Sequence, residues 1–439
     1  MSRISYLGAT DITGSLVTIQ TPAASFGERA WVYKDHDPTP YNAQVVSVGE
    51  NQAQLQVFEG TTGLSLTNIR TQLTGKPFQL GLSMDMLGRT FDGLGQPIDE
   101  LGPLTAELIR DIDTPAINPQ QRDYPRGFVQ TGISGIDLLM SLVQGQKLPI
   151  FSTDGLAHDA LALQMVRQSA TLHQTANNYI VFAGIGLKFD TYQFFKQSLA
   201  SLGNNQRLVT FLNLALSPVA ERLLVPKVAL TTAEYLAFDK GKEVVVIMTD
   251  MTAYCEALRE LSATRGEIPG RKGYPSYMYS QLSTIYERAG VIKGKAGSVT
   301  LVPLLTMPAG DITHPIPDLT GFITEGQIVL NKAVGVYPPI SILPSLSRLM
   351  KDAIGPDKTI PEHPAVAKAI FAHYAKTLQV RDLAQIIGEE ELSPADQNYL
   401  DFGRAFEQTL LQQGMTEQRT IAQTVAMAKR LLTDHQLNL

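Results

Sequence analysis

The sequence predicts a multi-domain α/β chain: an N-terminal β-barrel, a central, mostly parallel sheet with helices on both faces, and a C-terminal helical bundle. Three observations carry this. Short alternating apolar runs fill the chain from Ser15 to about Thr71, the period of half-buried strands. From about Gly75 to Ile342, continuous β-branched runs alternate with helical patterns, which is how a parallel sheet buried on both faces reads. Beyond Pro344 the apolar spacing is helical. We place the domain boundaries at 1–71, 72–345 and 346–439; 439 residues with 44% hydrophobic content can fill about three cores.

Taken in order, residues 43–48 (Ala-Gln-Val-Val-Ser-Val) and 53–58 (Ala-Gln-Leu-Gln-Val-Phe) form a hairpin across Gly49, Glu50 and Asn51. The first buried strand of the central domain is 147–151 (Lys-Leu-Pro-Ile-Phe), and an Ala-, Leu-, Gln- and Met-rich helix covers 160–172. Two more buried strands follow, in Val-Phe-Ala-Gly-Ile-Gly-Leu-Lys (181–188) and Glu-Val-Val-Val-Ile-Met-Thr-Asp (243–250). In the last block Ser393 caps, Pro394 suits a first turn and Asp396 completes a capping box. Leu400, Phe406, Leu410 and Leu411 then recur with helical spacing, as do Ile421, Val425, Ala428 and Leu432.

Composition removes several function classes. A net charge of −6 without a Lys/Arg block argues against a nucleic-acid partner. No apolar run approaches the ~20 residues of a membrane span, and the polar start is no signal peptide. The single cysteine, Cys255, forbids an internal disulfide and reads as core packing in a reducing compartment.

The chemistry concentrates between strand and helix at residues 151–161, Phe-Ser-Thr-Asp-Gly-Leu-Ala-His-Asp-Ala-Leu. A working phosphate loop reads G-x-x-x-x-G-K-[ST]: glycine amides wrap the phosphates, the lysine neutralises them and the hydroxyl holds magnesium. The four defining positions are here Ser152, Ala157, His158 and Asp159. Thr153, Asp154 and Gly155 complete the loop, and the two acids, Asp154 and Asp159, would repel a triphosphate at a helix terminus that otherwise attracts anions. His158 beside two acids lacks a fourth ligand, so no metal is expected. Asp250 ends its strand where parallel-sheet proteins place ligands and would order water around magnesium; the plainer reading is a helix cap.

Three strings occur together: Phe-Val-Gln-Thr-Gly-Ile-Ser-Gly-Ile-Asp (128–137), Gly-Gln-Lys-Leu-Pro-Ile-Phe (145–151) and Pro-Gly-Arg-Lys-Gly-Tyr-Pro-Ser-Tyr-Met-Tyr (269–279). With Met-Leu-Gly-Arg-Thr-Phe-Asp-Gly-Leu-Gly-Gln-Pro (86–97), Ile-Met-Thr-Asp-Met-Thr (247–252) and Thr-His-Pro-Ile-Pro-Asp-Leu-Thr-Gly-Phe-Ile-Thr-Glu-Gly-Gln-Ile (313–328), they resemble the B subunit of V-type and A-type rotary ATPases over nearly the whole chain. The resemblance implies a RecA-like central domain without a functional phosphate loop, and a barrel that closes a ring at its membrane-distal end. It implies a regulatory, non-catalytic subunit alternating with a catalytic A subunit in a three-plus-three hexamer, with central and peripheral stalk partners. Membrane contact would come only through the complex, on its cytoplasmic face. No cofactor is expected to bind this chain tightly; Mg-ATP belongs at the interface with the catalytic subunit.

The same resemblance implies roles for single residues. Arg348, in Leu-Pro-Ser-Leu-Ser-Arg (343–348), is the arginine that faces the neighbour's catalytic site. Leu187 stands where catalytic relatives hold the glutamate that polarises water, and leucine cannot accept a proton. Tyr277 and Arg271 read as ring-interface residues, with a vestigial adenine pocket or a phosphate-facing charge as the alternatives. Thr153, Asp154 and Ala157 replace the glycine, serine and proline usual in the family's loop, which marks either harmless drift or a specialised paralogue. Two other classes stay open: a self-sufficient export-type NTPase with an unconventional loop, and a purely structural ring subunit. Whether protons or sodium move, and in which direction the machine runs, is not written in this chain.

Overall fold

The computed structural model describes residues 5–35, 37–172, 178–200, 202 and 207–439. Seven antiparallel strands form the barrel: β1 (Ser5–Leu7), β2 (Asp11–Thr13), β3 (Leu16–Gln20), β4 (Glu28–Lys34), β5 (Tyr41–Val48), β6 (Gln52–Val57) and β7 (Ile69–Pro77). They pair in the order β1-β7-β4-β5-β6-β3-β2. Alternation drives this: Val17, Ile19, Ala30, Val32, Val45, Leu55 and Ile69 point into one buried cluster while most of their sequence neighbours are more exposed. The expected hairpin is β5–β6, closed by the Gly49 amide on the Gln52 carbonyl at 2.8 Å. The last barrel strand continues past residue 71 to Pro77.

The central sheet uses β8 (Thr90–Phe91), β9 (Ile150–Ser152), β10 (Asn178–Leu187), β11 (Leu208–Leu214), β12 (Glu243–Thr249), β13 (Ser298–Thr306), β14 (Gly326–Leu330) and β15 (Ile340–Ser347). Their order is β15-β14-β9-β13-β12-β10-β11-β8, all neighbouring pairs parallel except β14–β15. The β-branched runs are buried on both sides. Along β12, Val244, Val246 and Met248 pack into one core while Val245 and Ile247 pack into the other.

Helices α4 (Val219–Glu234), α5 (Met251–Thr264), α6 (Met278–Tyr286) and α7 (Pro315–Ile323) contribute to the first core. The second takes α1 (Ser134–Leu139), α2 (His158–Leu172) and α3 (Phe189–Ala200). It is continuous with α8 (His363–Ile387), α9 (Pro394–Ala405) and α10 (Ile421–Asp434), so the bundle packs as an extension of one sheet face. Each fully buried aliphatic side chain contributes about 1.5–3 kcal/mol of transfer free energy.

Local chemistry sets the helix ends. The Ser393 hydroxyl accepts the Asp396 amide at 3.1 Å and donates to its carboxylate at 2.7 Å. Thr420 and Gln423 form a full capping box at α10. Cys255 is buried in α5. Helix α2 starts two residues earlier than its composition suggests, at His158, so His158 and Asp159 belong to its first turn. A buried ion pair clamps the first core: Arg288, 2% exposed, meets Glu234 through two donors at 2.6 and 2.9 Å.

Candidate functional site

Strands β9, β12 and β13 lie side by side, and their carboxyl ends bring the loop, Asp250 and Thr306 together. Ser152, fully buried, ends β9. Thr153 and Asp154 then turn outward, and Gly155 takes φ 79°, the left-handed conformation that only glycine adopts without strain. The loop keeps one glycine turn but not the lysine that neutralises phosphate. At the lysine position, His158 Nε2 stands 3.5 Å from Asp159 Oδ1, and its buried Nδ1 has no partner among the described residues.

Asp159 occupies the magnesium-hydroxyl position, with the Thr249 hydroxyl donating to it at 3.5 Å. Burial pushes its carboxyl above the usual range; His158 opposes that shift and the Asp250 charge adds to it. An anion arriving here would meet acid rather than lysine.

Asp250 caps α5. Its Oδ1 accepts the Thr252 amide at 2.8 Å and the Thr306 amide at 3.2 Å, while Oδ2 accepts the Thr306 hydroxyl at 2.6 Å. The Thr252 hydroxyl closes the ring on the Thr306 carbonyl at 2.7 Å. Both carboxylate oxygens thus have protein partners, and the strand-end acid works as a splice between β12, α5 and β13. Leu187, at the end of β10, is 4% exposed and lies against Gly184 beside Leu212, which makes the water-polarising position part of the core.

The residues around 270 are bonded to neighbouring elements of the chain, and Arg271 stays exposed while bonded. Arg271 pairs with Asp318 at 3.0 Å and donates to the Thr313 carbonyl at 2.8 Å, tying its loop to α7. Tyr277 is half-buried, with its hydroxyl on Glu267 at 2.8 Å. Tyr274 is buried and bonds Glu256, and Tyr279 is 48% exposed.

Arg348 lies just past β15 and is exposed. Among the described residues no carboxylate reaches ion-pair distance, and its side chain makes one long bond, 3.5 Å, to the Thr324 carbonyl. Asp352, the nearby acid in sequence, is engaged by the Tyr124 hydroxyl at 2.9 Å. Leu343 and Leu346, 42% and 39% exposed, sit on the same terminal stretch.

Two features lay outside the sequence reading. Gln146 and Lys147, from the string that precedes the loop, are buried and reach Glu325 and Ser347 next to Arg348. Thr306 holds Asp250. Neither carries a local signal, since the partners are far apart in the chain. Among the described residues no cluster of His, Cys, Asp or Glu suits a metal ion, and no helix is long and apolar enough to cross a membrane.

Comparison with known proteins fits this geometry. The nucleotide-binding domain of the ATP synthase alpha/beta family matches residues 132–347, its beta-barrel domain residues 9–68, and the C-terminal domain of V and A type ATP synthase residues 352–437. The chain is 50% identical to the V-type ATP synthase beta chain of Halothermothrix orenii over 98% of its own length and 93% of that protein. It is 50% identical to that of Thermotoga neapolitana, covering 98% and 94%, and 49% to that of Nitrosococcus oceani, covering 99% and 91%. Among solved structures, an ATP synthase subunit from Nanoarcheaum equitans superposes with TM-score 0.77 at 37% identity, over 97% of this chain and all of that one. A barrel, a parallel-sheet domain whose phosphate loop has lost its lysine, and a V/A-type helical end therefore belong together: the chain is a member of the ATP synthase alpha/beta family, a B subunit of the V/A type.

Proposed function

We propose that this subunit is non-catalytic and completes, through Arg348, an ATP site owned by a catalytic A subunit beside it. The observation that carries the proposal is an exposed guanidinium with no acid partner among the described residues, in a chain whose own loop lacks the phosphate lysine. An arginine left unpaired in one chain is available to a charge in another. Its planar set of five donors suits a transferring phosphoryl group, whose negative charge spreads over three oxygens, and such a residue contributes roughly 10³ to 10⁵ in rate.

The chemistry on the A side divides cleanly. Mg-ATP would be held by the partner's loop and metal ligands, while Arg348 adds charge stabilisation only as the γ-phosphoryl leaves. At this chain's own loop no step can run: no lysine neutralises phosphate, Asp250 is committed to Thr252 and Thr306, and Leu187 cannot activate water. We further propose an alternating ring of three A and three B subunits joined to central and peripheral stalks, peripheral on the cytoplasmic face of the membrane. The exposed Leu343 and Leu346 beside Arg348 support that face as a subunit contact.

The test is ATP hydrolysis by the ring reconstituted from this chain and its catalytic partner, with native mass measurement of the assembly. Arg348→Ala should leave a three-plus-three ring and lower kcat by three or more orders of magnitude. An intact ring with undiminished kcat overturns the proposal.

A further inference from the structure

Arg348 has a long, flexible side chain, so its reach across a boundary depends on how firmly its backbone is fixed. Lys147 and Glu325 supply that anchor. Lys147, 3% exposed, is surrounded by acids: its Nζ lies 2.9 Å from Glu325 Oε1 and 2.8 Å from Glu287 Oε1. Its backbone amide donates to Glu325 Oε2 at 2.8 Å, and the Glu325 amide returns to the Lys147 carbonyl at 3.1 Å. Glu287 is held in turn by Arg122 at 2.6 Å.

From this cluster the path to Arg348 is one bond long. The Arg348 amide donates to the Glu325 carbonyl at 2.9 Å. Gln146, fully buried, donates from its Nε2 to the same carbonyl at 3.1 Å and to the Ser347 hydroxyl at 2.9 Å. Ser347 donates onward to the Ser141 carbonyl at 2.9 Å. The residue before Arg348 and the amide of Arg348 itself are thereby fastened to the segment that leads into β9.

We propose that Lys147, acting through Glu325, is the positioning residue for Arg348. The inference rests on the proposed role of Arg348. A buried ammonium between two carboxylates is a demanding thing to keep, because removing one charge leaves the others poorly compensated. Nothing at the loop uses it, since Lys147 faces Glu287 and Glu325 rather than the phosphate position. Its place in the fold is that of a rivet: it locks β14 where the strand begins, and β14 carries β15 by antiparallel pairing of Gly326 with Ser347. Misplacing a charge by about 1 Å in a transition state can lower a rate roughly 100-fold.

The experiment uses the reconstituted ring, with kcat and KM for ATP measured for Lys147→Met, Glu325→Gln, Arg348→Ala and the double variants of each with Arg348→Ala. Positioning predicts a kcat lowered roughly 10- to 100-fold, an unchanged KM because the partner holds ATP, recovery in Lys147→Arg, and no further loss when either change is added to Arg348→Ala. Glu325→Gln keeps the amide contact and serves as the decisive variant if Lys147→Met does not assemble. If Arg348→Ala lowers kcat but Glu325→Gln and assembled Lys147→Met retain wild-type kcat, the anchor is wrong while the arginine stands. Losses that multiply in the double variants, or a raised KM, equally overturn it. A full rate in Arg348→Ala instead sinks the proposed function on which it rests.

Discussion

At the loop, Asp250 gives both carboxylate oxygens to Thr252 and Thr306, and His158 and Asp159 face each other at 3.5 Å. Across the same sheet, at the end of β15, the Arg348 side chain has one long contact, to a backbone carbonyl, and no acid among the described residues. The two regions flank strands that lie next to but one another, β9 and β15 on either side of β14. Beside the loop, the strand-end acid is spent on the chain's own structure. The arginine has stayed unfinished, and a charge without an internal partner is what a contact between chains requires. An ion pair inside the molecule satisfies a charge; an exposed arginine held only by its backbone keeps its charge for something else.

The strongest way to break this contrast is at Arg348. Arg348→Ala should cost about 4–7 kcal/mol of transition-state stabilisation in the assembled ring, the equivalent of 10³ to 10⁵ in rate. Thermal unfolding of the isolated chain should move within about 0.5 kcal/mol, as for a surface change without partners. A large loss of stability would mean that the arginine is structural after all.

A second arginine supplies the control. Arg288 is buried and doubly bonded to Glu234, so Glu234→Ala strands a buried cation and should lower stability by about 3–5 kcal/mol. Chemical denaturation of the isolated chain measures it. Where Arg348 variants leave folding alone and abolish turnover, Glu234→Ala should weaken folding first.

The sequence carries the first half of this contrast better than the second. Ser152, Ala157, His158 and Asp159 are consecutive or nearly so, and a lost lysine in a fixed pattern is visible without coordinates. The β5–β6 hairpin and the Ser393 cap were legible for the same reason: their causes lie within a few residues. Asp250 shows where local reading stops. Its strand-end position suits magnesium water and helix capping equally, and the choice is made by Thr306, whose hydroxyl arrives from another strand. Tyr277 and Arg271 also have partners that local reading does not reveal, Glu267 and Asp318, and these bonds leave Arg271 exposed. The Lys147 anchor had no signal at all, since its acids lie 140 and 178 residues away.

Rebuilding the loop sharpens the comparison further. A variant carrying Ser152→Gly, Ala157→Gly, His158→Lys and Asp159→Thr restores the pattern that wraps phosphate and holds magnesium. Mg-ATP at a hundred times its Kd should then stabilise the isolated chain by about 2.7 kcal/mol, whereas the parent chain should show no such shift. Turnover should remain absent, because Leu187 stays in the core at 4% exposure and supplies no base. Hydrolysis by the rebuilt chain would show that the emptied site lacks only its loop.

The smallest effect lies in the first turn of α4, where Glu221 is linked through Asn213 to the end of β10. Its carboxylate accepts the Asn213 side-chain amide at 3.2 Å, and Asn213 in turn accepts the Gly186 amide at 3.1 Å, just before Leu187. Burial, then the Asp92 and Glu59 charges, push its carboxyl up to about 7, with hydrogen bonds from Ser217 and Asn213 opposing. A carboxyl whose pKa is raised on folding favours the folded state fully below its unfolded value of about 4.3 and loses that contribution as pH rises toward 7. Glu221→Gln should therefore flatten the decline of stability between about pH 4.3 and 7. It should leave the variant more stable than the parent at pH 8 by about 1 kcal/mol, once solvent screening at this half-buried site is allowed for. Parallel unfolding curves at pH 5 and pH 8 measure it; an unchanged difference between parent and variant at the two values would return Glu221 to the ordinary carboxylates.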